Sequence, residues 1–225
     1  MSTASCKVLP AENSGPEGLL RSPRGSTTRQ DLRAINSDGV AQSVMVGLGE
    51  TWLPAFALAL GMGEMISGLM ATIPMLVGSV LQLISPYGVR WCGSLRGWVV
   101  LCAILQALSF APLAVAALVG SMPVVILFAV AGIYWGAGLG TGAAWNAWVE
   151  TLVPGRVRPK FFAGRTRLAQ LGVLAGLIGG GLILEYGRSM GAELWAFGVI
   201  FVIAGLARLW SSRLLASQSE PLQKP

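Results

Sequence analysis

The chain has 225 residues, 54% apolar and only 12% charged, with a formal net charge of +6 and a mean hydropathy of +0.66. Soluble domains are usually about a quarter charged, so this balance argues for a polytopic membrane protein. Histidine is absent, which removes Ser–His and Cys–His nucleophile pairs, histidine-ligated zinc and histidine proton relays.

Residues 1–37 are rich in Ser, Pro, Gly, Arg and Glu, and carry Lys7, Arg21, Arg24, Arg29 and Arg33. Without apolar periodicity they are expected to form a disordered, basic cytoplasmic tail. No cleavable signal peptide is expected. The first apolar run begins only near residue 39, and it is long enough to span.

Six apolar runs follow, at about 38–60, 64–86, 97–119, 123–150, 166–186 and 192–212. Each is near the ~20 residues that cross a hydrocarbon core. Backbone groups in lipid must be satisfied internally, so each run reads as a helix. The expected fold class is therefore all-α, a six-helix transmembrane domain over 38–215 with a frayed polar tail at 216–225. The fourth run is overlong and should tilt or project from the bilayer. The expected connections are Gly61–Gly63, Tyr87–Arg96, Val119–Met122, Thr151–Arg165 and Gly187–Gly191.

The basic residues fall on alternate connections. One side collects the tail, Arg90 and Arg96, then Arg156, Arg158, Lys160, Arg165 and Arg167, and finally Arg208, Arg213 and Lys224; of the 16, only Arg188 lies on the other. By the positive-inside rule both termini are cytoplasmic, in a multi-pass protein of a plasma or inner membrane. Basic residues confined to short connections read as topology anchors, so no nucleic-acid partner is expected. Glu185 with Tyr186, Trp195 and Trp210 mark helix ends as interfacial belts do.

Small residues recur every four positions at Gly132, Gly136, Gly140 and Ala144, and again at Gly172, Gly176 and Gly180. Such faces let helices approach closely in lipid. Gly136-Ala-Gly-Leu-Gly140 lacks the strand-to-helix context of a dinucleotide loop. Cys6, Cys92 and Cys102 show no metal or disulfide spacing, and neither a cofactor nor a metal is expected.

Polar residues inside the runs are the site candidates. Glu50 lies mid-helix, where a bare carboxylate is costly, so it should face a bundle interior or water. Pro54 is placed to kink the helix beside it, and Pro74 offers a similar bend in the second run. Asn146, between Trp145 and Trp148, reads either as interhelical glue or as cavity lining. Tyr134 and Trp135 lie near the middle of the fourth run; Gln82 and Gln106 are open between packing and lining. Glu150 precedes the basic connection and is expected to pair with Arg156, Arg165 or Arg167. Glu64 and Asp38 are read as helix-start acids favoured by the helix dipole.

The passage from the fourth to the fifth run resembles the major facilitator superfamily of transporters. Gly136, Gly138 and Gly140 look like the glycine-rich part of that family's fourth helix. Pro154-Gly-Arg-Val-Arg158, with Phe161 and Phe162, resembles its basic loop. Gly176-Leu-Ile-Gly-Gly-Gly181 and Glu185-Tyr-Gly187 look like its fifth-helix ending. The resemblance covers residues 38–215 and corresponds to the N-terminal six-helix half. Two features depart from it. Ser85-Pro-Tyr-Gly-Val-Arg-Trp-Cys-Gly-Ser-Leu-Arg96 lacks the family's acid, and Gly132 stands near the family's fourth-helix arginine.

The resemblance implies a secondary transporter half in the lipid bilayer, moving an unidentified small-molecule substrate against a second six-helix half or a second copy. Glu50, Tyr134, Trp135 and Asn146 would form the substrate or proton site. Arg90, Arg96, Glu150, Arg156, Arg158 and Arg165 would gate or anchor the cytoplasmic side. The alternatives are a non-transporting assembly subunit and a fragment of a full-length transporter. An enzyme is not expected, because no histidine or paired-carboxylate constellation is present.

Overall fold

Two prolines decide where the helices change character. Pro54 has no N–H for the carbonyl of Glu50, and Pro86 has none for that of Gln82, four residues upstream in each case. At both places the α-helix gives way to a single 3-10 turn, at Glu50–Trp52 and Gln82–Ile84. A computed structural model describes residues 24–153 and 155–220, with the backbone alone for residues 24–29 and Thr151.

The described elements are all helical: α1 Arg24–Leu48, α2 Leu53–Ala59, α3 Gly63–Leu81, α4 Ser85–Cys92, α5 Leu95–Leu108, α6 Phe110–Val119, α7 Val124–Leu152, α8 Arg158–Ser189 and α9 Glu193–Ala216. Five segments are long and apolar enough to cross a membrane: Gly63–Cys92, Leu95–Val119, Val124–Glu150, Arg158–Ser189 and Glu193–Ala216. The molecule is thus an all-helical bundle compatible with multiple membrane crossings. The first apolar run is not among the five; it lies across α1, the turn at Glu50–Trp52 and α2. Pro74 sits inside α3 without interrupting it.

α1 packs along α8 and α9, α3 along α7, α5 along α7 and α9, and α6 along α9. The main core gathers Phe56, Phe110, Tyr134, Phe197 and Phe201. Their rings meet edge to face, at 4.9 Å between Phe56 and Phe201 and 5.3 Å between Phe110 and Tyr134. Such offset pairs add to the area they bury.

Glycines set the closest seams. A methyl on Gly47 would overlap the Val173 carbonyl, and one on Gly176 would meet the Val44 carbonyl, so α1 and α8 touch backbone to backbone. Gly172, Gly176 and Gly180 are all buried there. The glycines of α7 do not form one face against one partner. Gly132 and Gly136 turn to Val77 and Leu81 of α3, whereas Gly140 looks toward Trp98 and Cys102 of α5.

Several boundaries differ from the sequence expectation. Residues 24–37 belong to α1 instead of a disordered tail; residues 1–23 lie outside the described residues. The segment is helical because it docks. Ile35 is fully buried with Val149 and Val153, and Asp31 accepts bonds from the Ser219 amide (3.0 Å) and hydroxyl. The chain end is pinned as far as Glu220. Trp148 Nε1 donates to the Ser219 carbonyl at 3.2 Å, and the Glu220 carboxylate accepts from Ser94 Oγ at 2.6 Å. The expected loop over Tyr87–Arg96 is mostly α4, leaving only Gly93 (φ 63°) and the N-cap Ser94 as the turn. The connection before the fifth helix shrinks to residues 153–157, because α8 already starts at Arg158. α7 is long, at 29 residues.

The seam makes a sharp expectation. Gly47→Ala should destabilise the protein by about 1–3 kcal/mol, since the overlapping atom is backbone and cannot move aside. Gly68→Ala, where a methyl meets nothing, should be neutral or slightly stabilising. Thermal unfolding of both variants in the same micelles makes the comparison; equal melting temperatures would remove the close-approach argument.

Candidate functional site

The 3-10 turn carries Glu50 at its first position, half-buried against α7. Tyr134 Oη donates to Glu50 Oε2 at 2.6 Å, and the Tyr134 hydroxyl oxygen lies 3.1 Å from Met45 Sδ. Two of the expected site residues therefore meet directly. Among the described residues, no cation lies within ion-pair distance of Glu50. Trp135 stands beside Tyr134, ring centroids 6.0 Å apart, and packs at the edge of the core. Its backbone lies against Gly78 of α3.

A second cluster lies nearer the end of the bundle where α1 starts and α9 finishes. Arg208 of α9 donates from Nε to Gln106 Oε1 of α5 at 2.8 Å, and from Nη1 to Ser211 Oγ at 2.8 Å. Ser211 donates in turn to Asp38 Oδ1 of α1 at 2.5 Å. Arg165 of α8 approaches Asp38 Oδ2 at 3.9 Å and stacks over the Trp145 ring of α7, 4.3 Å from its centroid. Asp38, Gln106, Arg208 and Ser211 are each at most 4% exposed. Charges taken that far from water persist only when paired and hydrogen-bonded.

Glycines make room for this network. A methyl on Gly138 would strike the Gln106 amide, and one on Gly39 would press on the Arg165 guanidinium. The cluster borders a cavity of about 150 Å³, with Thr141, Trp145 and Asn146 on its wall. Asn146 is exposed at this cavity, well along α7 from Tyr134. The four substrate-site candidates thus divide into Glu50, Tyr134 and Trp135 at one place and Asn146 at another.

Asp38 is not a helix-start acid: α1 begins 14 residues earlier, and the carboxylate answers two arginines. Arg208 is not an exposed anchor but the centre of the polar cluster. Glu150 pairs with Arg158, at 2.6 Å, and not with Arg156, Arg165 or Arg167. Arg158 also donates to the carbonyls of Glu150 (2.8 Å) and Val153 (3.3 Å), capping α7 where its last carbonyls lack intrahelical donors. Arg156 is exposed, and Arg90 lies over the Tyr87 ring at 5.9 Å. Arg96 bonds the Gln218 carbonyl at 3.0 Å and lies 3.9 Å from Glu220, so the acid missing from its own connection arrives from the chain end. Gln82 is exposed at its 3-10 turn. Among the described residues, no group of three or more His, Cys, Asp or Glu side chains could hold a metal ion.

Removing one member of the buried pair leaves the other charge uncompensated. Arg208→Met should cost about 3–5 kcal/mol. Adding Asp38→Asn should return part of that loss, because the orphaned carboxylate disappears. Unfolding of both single variants and the double variant gives the coupling; strict additivity would show that the two residues do not interact.

Comparison with protein-family models, with curated proteins and with solved structures gave no match.

Proposed function

We propose that this chain is one half of a secondary transporter of the major facilitator type, pairing with a second six-helix half or a second copy. The observation that carries the reading is the pairing of the helices. With the α1–α2 segment counted first, the six segments pack as first on fifth and sixth, fourth on second and third, and third on sixth. Exchanging first with fourth, second with fifth and third with sixth leaves these five most extensive pairings unchanged, although the contact of α2 with α3 has no comparable counterpart between α7 and α8. Two three-helix repeats of opposite direction have that property, and nested inverted repeats build each half of such transporters.

Three further features support it. The first segment is broken beside Glu50, and discontinuous helices line transporter binding sites. Arg96 bonds Gln218 just beyond α9, and Asp31 near the start of α1 bonds Ser219, so basic residues gather where α1 starts and α9 finishes, as a cytoplasmic face would require. α3 and α8 are largely unburied and present rows such as Leu76, Val80 and Leu83, and Leu171, Ile178 and Leu182. In this reading those rows meet lipid or the partner half.

Glu50 is the coupling group: its carboxyl has a hydroxyl donor and no cation beside it, so a proton can occupy or leave it. Tyr134 positions that carboxyl. Trp135 and Asn146 line the route of the substrate, and the assembly rocks as rigid halves about it. The basic turns and the Arg158–Glu150 pair hold the cytoplasmic side.

The test is a solute screen in proteoliposomes that hold the purified protein and a pH-sensitive dye. Solute entry with proton movement is expected in the wild type. A loss of about tenfold or more is expected in Glu50→Gln, equivalent to about 1.4 kcal/mol at the coupling step. Subunit counting by single-molecule photobleaching should show pairs. A protein that is monomeric in the bilayer and moves no solute refutes the reading and leaves the assembly-subunit alternative. Coupled uptake that Glu50→Gln does not alter removes Glu50 from the mechanism.

A further inference from the structure

The polar cluster has more cationic than anionic groups around its cavity. Arg208 and Arg165 line it with one carboxylate, Asp38. Asp38 is already committed on both oxygens, to Ser211 and toward Arg165. Arg208 Nη2 is buried with no hydrogen-bond partner among the described residues. An unanswered guanidinium nitrogen in so enclosed a place is costly, and so is an unbalanced charge. Trp145 adds an indole N–H that is likewise buried and unpartnered.

We propose that this cavity is a binding site for a small free oxyanion, of carboxylate or phosphate type. The ligand would accept from Arg208, with Arg165 and Trp145 closing around it and Asn146 at the rim. The cavity, of about 150 Å³, has room for such an ion. Arg165 also lines a larger outer pocket of about 370 Å³ with Lys160, Arg167 and Asn36. That basic pocket raises the local anion concentration at the entrance, and Arg165 is the wall between the two spaces. The site goes beyond the transport reading and does not depend on it.

Gly142 supplies the decisive variant. It lines the cavity, and a methyl there meets nothing, so a larger side chain has open space to enter. The experiment measures the melting temperature of the full chain in uncharged micelles against inorganic phosphate, with ionic strength held by potassium chloride. A rise is expected that sets in at about millimolar phosphate and then grows with the logarithm of its concentration. Gly142→Leu should abolish it. Arg165→Gln should weaken it by about tenfold or more, and decides the matter if Gly142→Leu folds poorly. Lys160→Gln/Arg167→Gln should leave most of the shift at high phosphate in place. A wild type indifferent to phosphate overturns the proposal, as does a shift that survives Gly142→Leu. A shift reproduced by phosphatidylglycerol in the micelles, and lost in Lys160→Gln/Arg167→Gln but not in Gly142→Leu, also overturns it: the ligand is then a lipid phosphate in the outer pocket.

Discussion

The chain Asp38–Ser211–Arg208–Gln106 is the interaction on which the bundle most depends. It crosses from α1 to α9 to α5 inside an apolar interior, and Arg165 extends it to α8 and the Trp145 ring of α7. Apolar helices in lipid gain little by choosing one neighbour over another, because lipid tails are as apolar as leucine. A buried ion network is different. It is satisfied in one arrangement and costly in others, so it selects which helices meet and in what register. The glycines then serve two ends. Gly47 and Gly176 bring backbones together, while Gly39 and Gly138 keep space for the guanidinium and amide groups of the network.

The broken first segment follows from the same logic of satisfaction. Pro54 leaves the Glu50 carbonyl without its usual donor, and the 3-10 turn supplies Leu53 N–H in its place. Gly49, just before the turn, lies so close to Phe110 and Ala204 that a side chain there would strike both. The turn is therefore wedged between α6 and α9 and is not a loose joint. Ser67 Oγ reaches from α3 to the Pro54 carbonyl at 2.6 Å and ties the next segment to it. Glu50 is held at a defined place by proline chemistry on one side and close packing on the other.

Much of this was legible in the sequence. Hydropathy places the third and fourth spans closely but ends the second six residues early and starts the fifth eight residues late, the glycine spacing on the fifth run marks a seam, and Glu50 and Tyr134 stand out as polar groups in apolar runs. The errors have a common physical source. Counting from the edges of apolar runs treats each polar residue near an edge as a surface group, yet α1 begins at Arg24 and α9 continues to Ala216. Asp38 and Arg208 therefore lie well inside their helices, and each looked exposed only because its partner lay in a distant part of the chain. A Ser-bridged pair separated by 170 residues leaves no local pattern. The proline rule, applied to Pro86 as it was to Pro54, would have found the second 3-10 turn and shortened the supposed loop at Tyr87–Arg96.

The two inward carboxylates of the first segment show how environment assigns roles that sequence cannot separate. Asp38 faces two guanidiniums and a donating hydroxyl, so its charge is the counterpart that keeps Arg208 in the interior. Neutralising it undoes a structural bond. Glu50 lies 12 residues further on and has the Tyr134 hydroxyl as its partner, with no cation in reach among the described residues. Protonating it leaves the hydrogen bond to Tyr134 able to re-form and exposes no orphaned positive charge. A group whose two states cost the scaffold so differently from those of Asp38 is suited to change state while the bundle holds its shape. On the transporter reading proposed above, the permanent charge sits near the end of the bundle and the exchangeable one at the helix break, which would separate stability from function along a single segment.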